Sequence, residues 1–486
     1  MKFNVMKIKN IICLAAIFSV SFLGAAKNKV KGFSHSVLEN GLEVFVMENH
    51  NAPLVYIEIA VKAGAVRQNP ENAGLFHLYE HMMFQGNSVY ENSSAVTKAI
   101  NDMGVDNYNG TTNVEWVNYF FTVPVGQLEK GLEFWSRAIR EPLLNPEELE
   151  NQKKVVLNEI ETEKKDEGHL FMNFLNTKFF PGNEFKRNPG GSPEVIRKCT
   201  VEQLKLMQQE FYVPNNAALF IGGDVSKKQV IKLVKKYYGD WKRGKDIAVQ
   251  NQMNMNPLAQ DEFYVMPYSK ISEQMAEIEI YWRGVDLKFD AQSSYSIDAV
   301  CSMLRNPEGN FCRDYVENEN FNIPSENYLW FSYPSSGECA LMNLGAVTVG
   351  PFVDLPGLVK RFYSFTRSRT IQEIKQNDMY FTEDEFLQTK RSLETDNIWQ
   401  TDNVKSFLTS ARFFWITGGS DYYLNYADNV EKVNVSDVQK FAGKYFDNNC
   451  LTVVLVNPKV YELFKSGFES NGFKNVLDEK IIWWEK

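Results

Sequence analysis

Near its start the chain carries short extended runs of apolar residues broken by turn residues, and later stretches shift to a helical period. Ser34 to Met47 places Asn40-Gly41 between two extended runs, the pattern of a β-hairpin whose turn needs positive φ. Val55 to Val61 reads as a third strand, and a loop containing Gly and Asn leads into a helical stretch at Gly74 to Phe84. A short helix over Ser94 to Met103, a strand over Tyr119 to Val123, and a helix striped by Leu128, Leu132, Trp135 and Ile139 follow. Pro146-Glu147-Glu148 then opens a long helix, with proline and acids in the first turn, where the helix dipole favours them. Leu149, Gln152, Val156 and Glu159 share one face of that helix. The pattern predicts an α+β fold, with helices packed on one face of a mostly antiparallel sheet.

The pattern also repeats. Thr200 to Asn216, followed by an apolar strand from Ala217 to Gly222, has a counterpart in Asn434 to Asn449, followed by a strand from Leu451 to Val456. Each is a capped helix, an aromatic pair, an Asn-Asn turn and a strand. Upstream, Glu147 to Glu159 lines up with Asp384 to Asp396 in the same relative order. Two homologous domains of one α+β type are therefore expected, at 27–245 and 261–486, joined by a polar linker at 246–260. A chain of 486 residues is too long for one core, which agrees.

Composition narrows the function classes. With 44% hydrophobic and 14% aromatic residues, the chain has ample material for packed cores. Residues 1–26 read as an export signal, with lysines at 2, 7 and 9, an apolar run from Ile11 to Leu23, and the small residues Gly24-Ala25-Ala26. Its removal takes the formal charge from −9 to −12, a balance that argues against nucleic acid as a partner. Export to the periplasm or outside the cell is expected, with an uncleaved N-terminal anchor as the alternative. The cysteines that remain, Cys199, Cys301, Cys312, Cys339 and Cys450, contain no C-x-x-C pair and form neither a disulfide framework nor a zinc ribbon pattern.

The chemistry sits at His77-Leu78-Tyr79-Glu80-His81. On a helix, a four-residue step brings His77 and His81 onto one face, where two imidazoles can converge on one ion. Glu80 shares that face and could take a proton from water held there. The order H-x-x-E-H inverts the familiar H-E-x-x-H zinc motif. A histidine on an apolar helix is more often a hydrogen-bonded core residue, so a third ligand from another helix is required. Glu159 is the candidate, although a lone glutamate in so acidic a segment also fits a solvated helix end. Residues 260–486 contain no histidine, so any such site belongs to the first half.

With Val156-Leu157-Asn158-Glu159 placed 78 residues beyond His81, the chain resembles the M16 (pitrilysin/insulinase) metallopeptidases, in particular the two-domain class that includes mitochondrial processing peptidase. The resemblance extends to Phe211 to Ala217 and Gly222-Gly223-Asp224. It implies one Zn2+ per chain held by His77, His81 and Glu159, Glu80 as general base, and a chain forming half of a clam-like chamber. It also implies that the strand Asn109-Gly110-Thr111-Thr112 binds extended peptide at its edge, within a stretch to Tyr119 that carries Glu115 and Val117 where the family has Asp and Thr. Two further departures from the family pattern matter. Gln152 stands where many members have a glutamate, and Val316 and Ile323 stand where active second domains carry an Arg/Tyr pair; Arg313 is a displaced arginine nearby. The departures imply a dimer, preferably a heterodimer with a zinc-less paralogue that supplies the Arg/Tyr pair. The alternative is a non-catalytic subunit with a binding or assembly role. No G-x-S-x-G elbow points to a serine hydrolase.

Overall fold

The computed structural model describes residues 30–400 and 402–485. The expected export signal at 1–26 lies outside the described residues. Among those residues, no helix is long and apolar enough to cross a membrane.

Two six-stranded sheets carry the fold. In the first, β1 (Phe33–Val37), β2 (Glu43–Glu48), β3 (Leu54–Val61), β4 (Tyr108–Thr112), β5 (Val117–Pro124) and β6 (Ala217–Gly223) assemble in the order β1-β2-β6-β3-β5-β4. Every neighbour is antiparallel except β2 against β6. The hairpin signal is realised, since Gly41 turns the chain at φ 92° between β1 and β2. In the second sheet, β7 (Glu262–Pro267), β8 (Met275–Arg283), β9 (Leu329–Ser332), β10 (Leu341–Val349), β11 (Leu451–Val456) and β12 (Lys474–Asn475) run β12-β7-β11-β8-β10-β9. The five strands from β7 to β11 repeat the arrangement of β2 to β6. Only the outermost strand differs, being an N-terminal antiparallel strand in one sheet and a C-terminal parallel one in the other.

The register makes the repeat explicit. Glu58 of β3 lies opposite Phe220 and Phe120, and Glu279 of β8 lies opposite Val453 and Gly345. These are the positions that the Asn-Asn turns, at 215–216 and 448–449, bring into equivalence.

Side chains alternate across each central strand, so each sheet has two buried faces. On β3, Val55, Ile57, Ile59 and Val61 face the helices of the first half, including Leu128–Arg140, with Leu132 and Trp135 buried. On β8, Ala276, Ile278, Ile280 and Trp282 face the helices of the second half. The opposite faces are covered from across the molecule. The helix Val404–Thr417 lays Phe407, Leu408 and Trp415 against Phe45 and Phe220 of the first sheet. In return, the helix Glu167–Phe179 lays Phe171, Phe174 and Leu175 on Tyr264, Leu341 and Leu455 of the second. Each half therefore completes the other, and an ion pair between Arg67 and Glu338 at 2.9 Å joins them as well.

Candidate metal centre

The histidine helix spans Leu75–Met82 and buries Leu75, Phe76, Leu78, Tyr79 and Met82 on the first half's core. That burial turns His77, Glu80 and His81 toward the remaining face, where each is half-buried. The partner helix, Pro146–Glu163, begins at Asn145, whose side chain accepts from the amides of Glu147 and Glu148. Its buried stripe of Leu149, Val156 and Ile160 fixes its rotation, so Gln152 and Glu159 face the histidines.

Three side chains converge. The Nε2 atoms of His77 and His81 stand 3.3 Å apart, and Glu159 Oε2 lies 3.6 Å from the first and 3.5 Å from the second. Among the described residues, this is the one group of three or more such side chains whose donor atoms gather closely enough to hold an ion. Tetrahedral coordination with bonds near 2.0–2.1 Å sets ligand atoms about 3.3–3.4 Å apart, so the donor set fits a zinc ion. Burial, with His81 beside it, pushes the His77 imidazole down to about 4, which leaves it neutral and available as a donor at neutral pH.

Neighbouring residues orient the set. Gln152 Oε1 lies 3.1 Å from His81 Nδ1 and can accept its proton, directing Nε2 toward the cluster. A neutral amide thus holds the second histidine at the position where many family members carry a carboxylate. Glu80 accepts a hydrogen bond of 2.8 Å from Thr112 Oγ1 of β4. Burial raises its pKa, the nearby Glu159 adds to the shift, and the Thr112 bond opposes it. A Cβ on Gly110 would come within 3.0 Å of Glu80 Cγ and Oε1, so a glycine is what lets this strand pass so close.

β4 is an edge strand, paired only to β5. Asn109 and Thr111 point outward and exposed, while Gly110 and Thr112 face the histidine helix. The structure thus brings Asn109, Gly110, Thr111 and Thr112 beside His77, Glu80, His81 and Glu159. Glu115, in the turn after β4, lies elsewhere: it is buried and accepts from Ser336 Oγ and from the Gly337 amide of the second half. Beneath the edge runs a polar chain that the sequence did not reveal. Thr111 Oγ1 donates to Asn118, Asn118 Nδ2 donates to Glu58 at 2.6 Å, and Glu58 pairs with Arg412 of the second half at 2.7 Å. In the second half, Ile323 is buried, Val316 packs on the same core, and Arg313 is exposed beside Asn310.

Residues 43–188 match the family model for insulinase (peptidase family M16), and residues 198–393 match that for the peptidase M16 inactive domain. The chain is 22% identical to the zinc protease PqqE of Helicobacter pylori over 93% of this chain and 99% of that protein. It is 26% identical to the probable zinc protease PqqL of Haemophilus influenzae over 55% of this chain, a match spanning only 29% of that longer relative. In fold it resembles a protease from Helicobacter pylori, with TM-score 0.68 and 19% identity, covering 87% of this chain and 99% of that one. It also resembles the first half of the periplasmic protease PqqL from Escherichia coli, with TM-score 0.69 and 15% identity, covering 91% and 96%. With family models matching most of the chain from 43 to 393, the chain belongs to the M16, or insulinase, family of peptidases.

Proposed function

We propose that this protein is a zinc-dependent endopeptidase acting on extended or unfolded polypeptides. His77, His81 and Glu159 hold the ion and Glu80 is the general base. The observation that carries this reading is the spacing of the three donor atoms, 3.3 to 3.6 Å, with Glu80 on the same helix face. When bound, Zn2+ supplies a Lewis acid that polarises a peptide carbonyl and makes water a better nucleophile. Glu80 takes the proton from the attacking water on its carboxylate and returns it to the leaving amine. Its burial, which favours the protonated form, suits it to hold the proton between those two events. The free edge of β4 lines up the substrate backbone through main-chain hydrogen bonds, which read little sequence.

The unit at 27–245 carries the site, 246–260 links, and 261–486 closes the wall of a chamber that limits substrates by size. The apolar Val316 and Ile323 favour a heterodimer in which a zinc-less paralogue supplies the missing Arg/Tyr pair. The export signal read from residues 1–26 supports a place in the periplasm or outside the cell, with an uncleaved N-terminal anchor as the alternative. These same two residues, with Gln152 in place of a glutamate, also support the second reading, a subunit that binds zinc and peptide with little turnover.

The test pairs zinc analysis with hydrolysis of a quenched fluorescent peptide, by the chain alone and with any co-purifying paralogue. Glu80→Gln should retain zinc and lose about 100-fold or more of its turnover. His77→Ala should lose the zinc as well. Unchanged turnover in the first variant would remove Glu80 from its role, and zinc retained in the second would overturn the ligand set.

A further inference from the structure

The internal repeat exposes a site that is filled in the first half and open in the second. In the first sheet, Glu58 is fully buried, accepts from Asn118 Nδ2 at 2.6 Å and from Tyr56 OH at 2.8 Å, and pairs with Arg412 at 2.7 Å. The guanidinium of Arg412 also lies over the Trp116 ring, 4.8 Å from its centroid. The register places Glu279 of β8 at the position equivalent to Glu58, and Asn343 of β10 at the position equivalent to Asn118. Asn343 Nδ2 donates to Glu279 Oε2 at 3.3 Å, so the Glu/Asn pair is repeated. The arginine is not. The alignment of Glu159 with Asp396 sets the helix Glu167–Phe179 against Val404–Thr417, and the residue equivalent to Arg412 is Leu175.

Where the guanidinium would lie there is a cavity of about 250 Å³, lined by Glu277, Glu279, Asn343, Trp330, Phe171 and Leu175 among others. Glu279 is 3% exposed and has no cation partner among the described ion pairs. The two cations on the cavity wall are engaged elsewhere: Lys270 binds Asp166 at 2.8 Å, and Arg187 donates to the Cys339 carbonyl at 3.0 Å. Burial raises both carboxyls above their ordinary range; the neighbouring Glu277 raises Glu279 further, while the hydrogen bond the two share partly offsets the rise at Glu277. The floor is shaped to expose an aromatic face: Trp330 of β9 lies across Gly345, where a Cβ would meet the indole at 2.3 Å. The volume is below that of a site for a whole small ligand and suits one long side chain.

We infer that this cavity is a subsite for an arginine side chain of a bound peptide, with Glu279 and Glu277 taking the guanidinium and Trp330 stacking against it. The chain itself supplies the template, because Arg412 fills the equivalent space in the first half with the same carboxylate, the same amide and an indole. The inference rests on the peptidase reading for the nature of the ligand, and its test does not require turnover.

A set of fluorescein-labelled extended peptides, each with one arginine at a different position, is compared by fluorescence anisotropy with counterparts carrying neutral citrulline at that position. At least one arginine peptide should bind the intact protein about tenfold more tightly than its citrulline counterpart. Glu279→Gln should abolish that preference, bringing the affinity for the arginine peptide down to that of its citrulline counterpart. Leu175→Arg, which fills the cavity from within as Arg412 does in the first half, should abolish it independently, so a folding defect in one variant leaves the other to decide. A preference below twofold at every position, or one that survives in both variants, would overturn the subsite. Hydrolysis of the same peptides separates the two claims, since binding preference without cleavage would count against the peptidase alone.

Discussion

Removing the Arg412 side chain, as in Arg412→Leu, should destabilise the protein and loosen the peptide edge together. Glu58 is fully buried and Arg412 is 7% exposed, so the leucine variant leaves a carboxylate in the interior with no counter-charge. Breaking a buried ion pair from one side costs about 3–5 kcal/mol. The hydrogen bonds from Tyr56 and Asn118 remain, which places the expected loss toward the lower end. The double variant Glu58→Gln/Arg412→Leu should recover most of it, because no charge is stranded: the amide oxygen still accepts from Asn118 Nδ2, and the amide nitrogen donates to the Tyr56 hydroxyl, which can turn to accept. Urea unfolding followed by tryptophan fluorescence measures all four members of the cycle, and the coupling between the two sites should exceed about 1 kcal/mol. Asn118 joins Glu58 to Thr111 on β4, so KM for an extended peptide should rise in the single variant and return toward wild type in the double. A single variant within about 1 kcal/mol of wild type, or a double variant no more stable than the single, would refute the role given to this pair.

Gly110→Ala should lower turnover about tenfold with zinc content unchanged, because its methyl group would sit 3.0 Å from Glu80 and displace the carboxylate by a few tenths of an ångström; full activity in the variant would show that Glu80 tolerates such displacement. Asp298, fully buried, accepts 2.6 Å from Tyr426 OH, and burial holds its carboxyl well above the usual range. A raised folded-state pKa contributes stability that is complete below the unfolded value and is lost as pH rises through the folded one, so Asp298→Asn should flatten the fall in Tm on going upward from about pH 4. An unchanged Tm slope would mean that Asp298 does not titrate on unfolding.

Much of the centre was legible because its determinants are local. A four-residue step on a helix fixes where His77 and His81 point, and the stripe of Leu149, Val156 and Ile160 fixes which way Glu159 faces. The Asn-Gly hairpin, the capped helix at Thr200 and its echo at Asn434 were readable for the same reason. Gln152 was noticed as a departure, yet its bond to His81 depends on how two helices cross, which sequence spacing does not encode. Glu115 read as one letter of an edge-strand pattern, and its buried bonds to Ser336 and Gly337 join residues more than 200 positions apart.

The sequence by itself determined the elements, the repeat and the shared face of His77 and His81, since periodicity and capping act within a few turns of chain, while Glu159 as their third partner came from the family resemblance. Only the tertiary structure decided that each half lends a helix to the other's sheet. Glu58 on β3 and Glu279 on β8 look alike as acids in apolar strands, and neither strand states what will cover its second face. Burying a carboxylate is costly unless a cation or a hydrogen-bond donor meets it, and those partners arrive from a distant helix. An arginine reaches one and a leucine the other, so one glutamate is a structural ion pair and the other faces an open cavity.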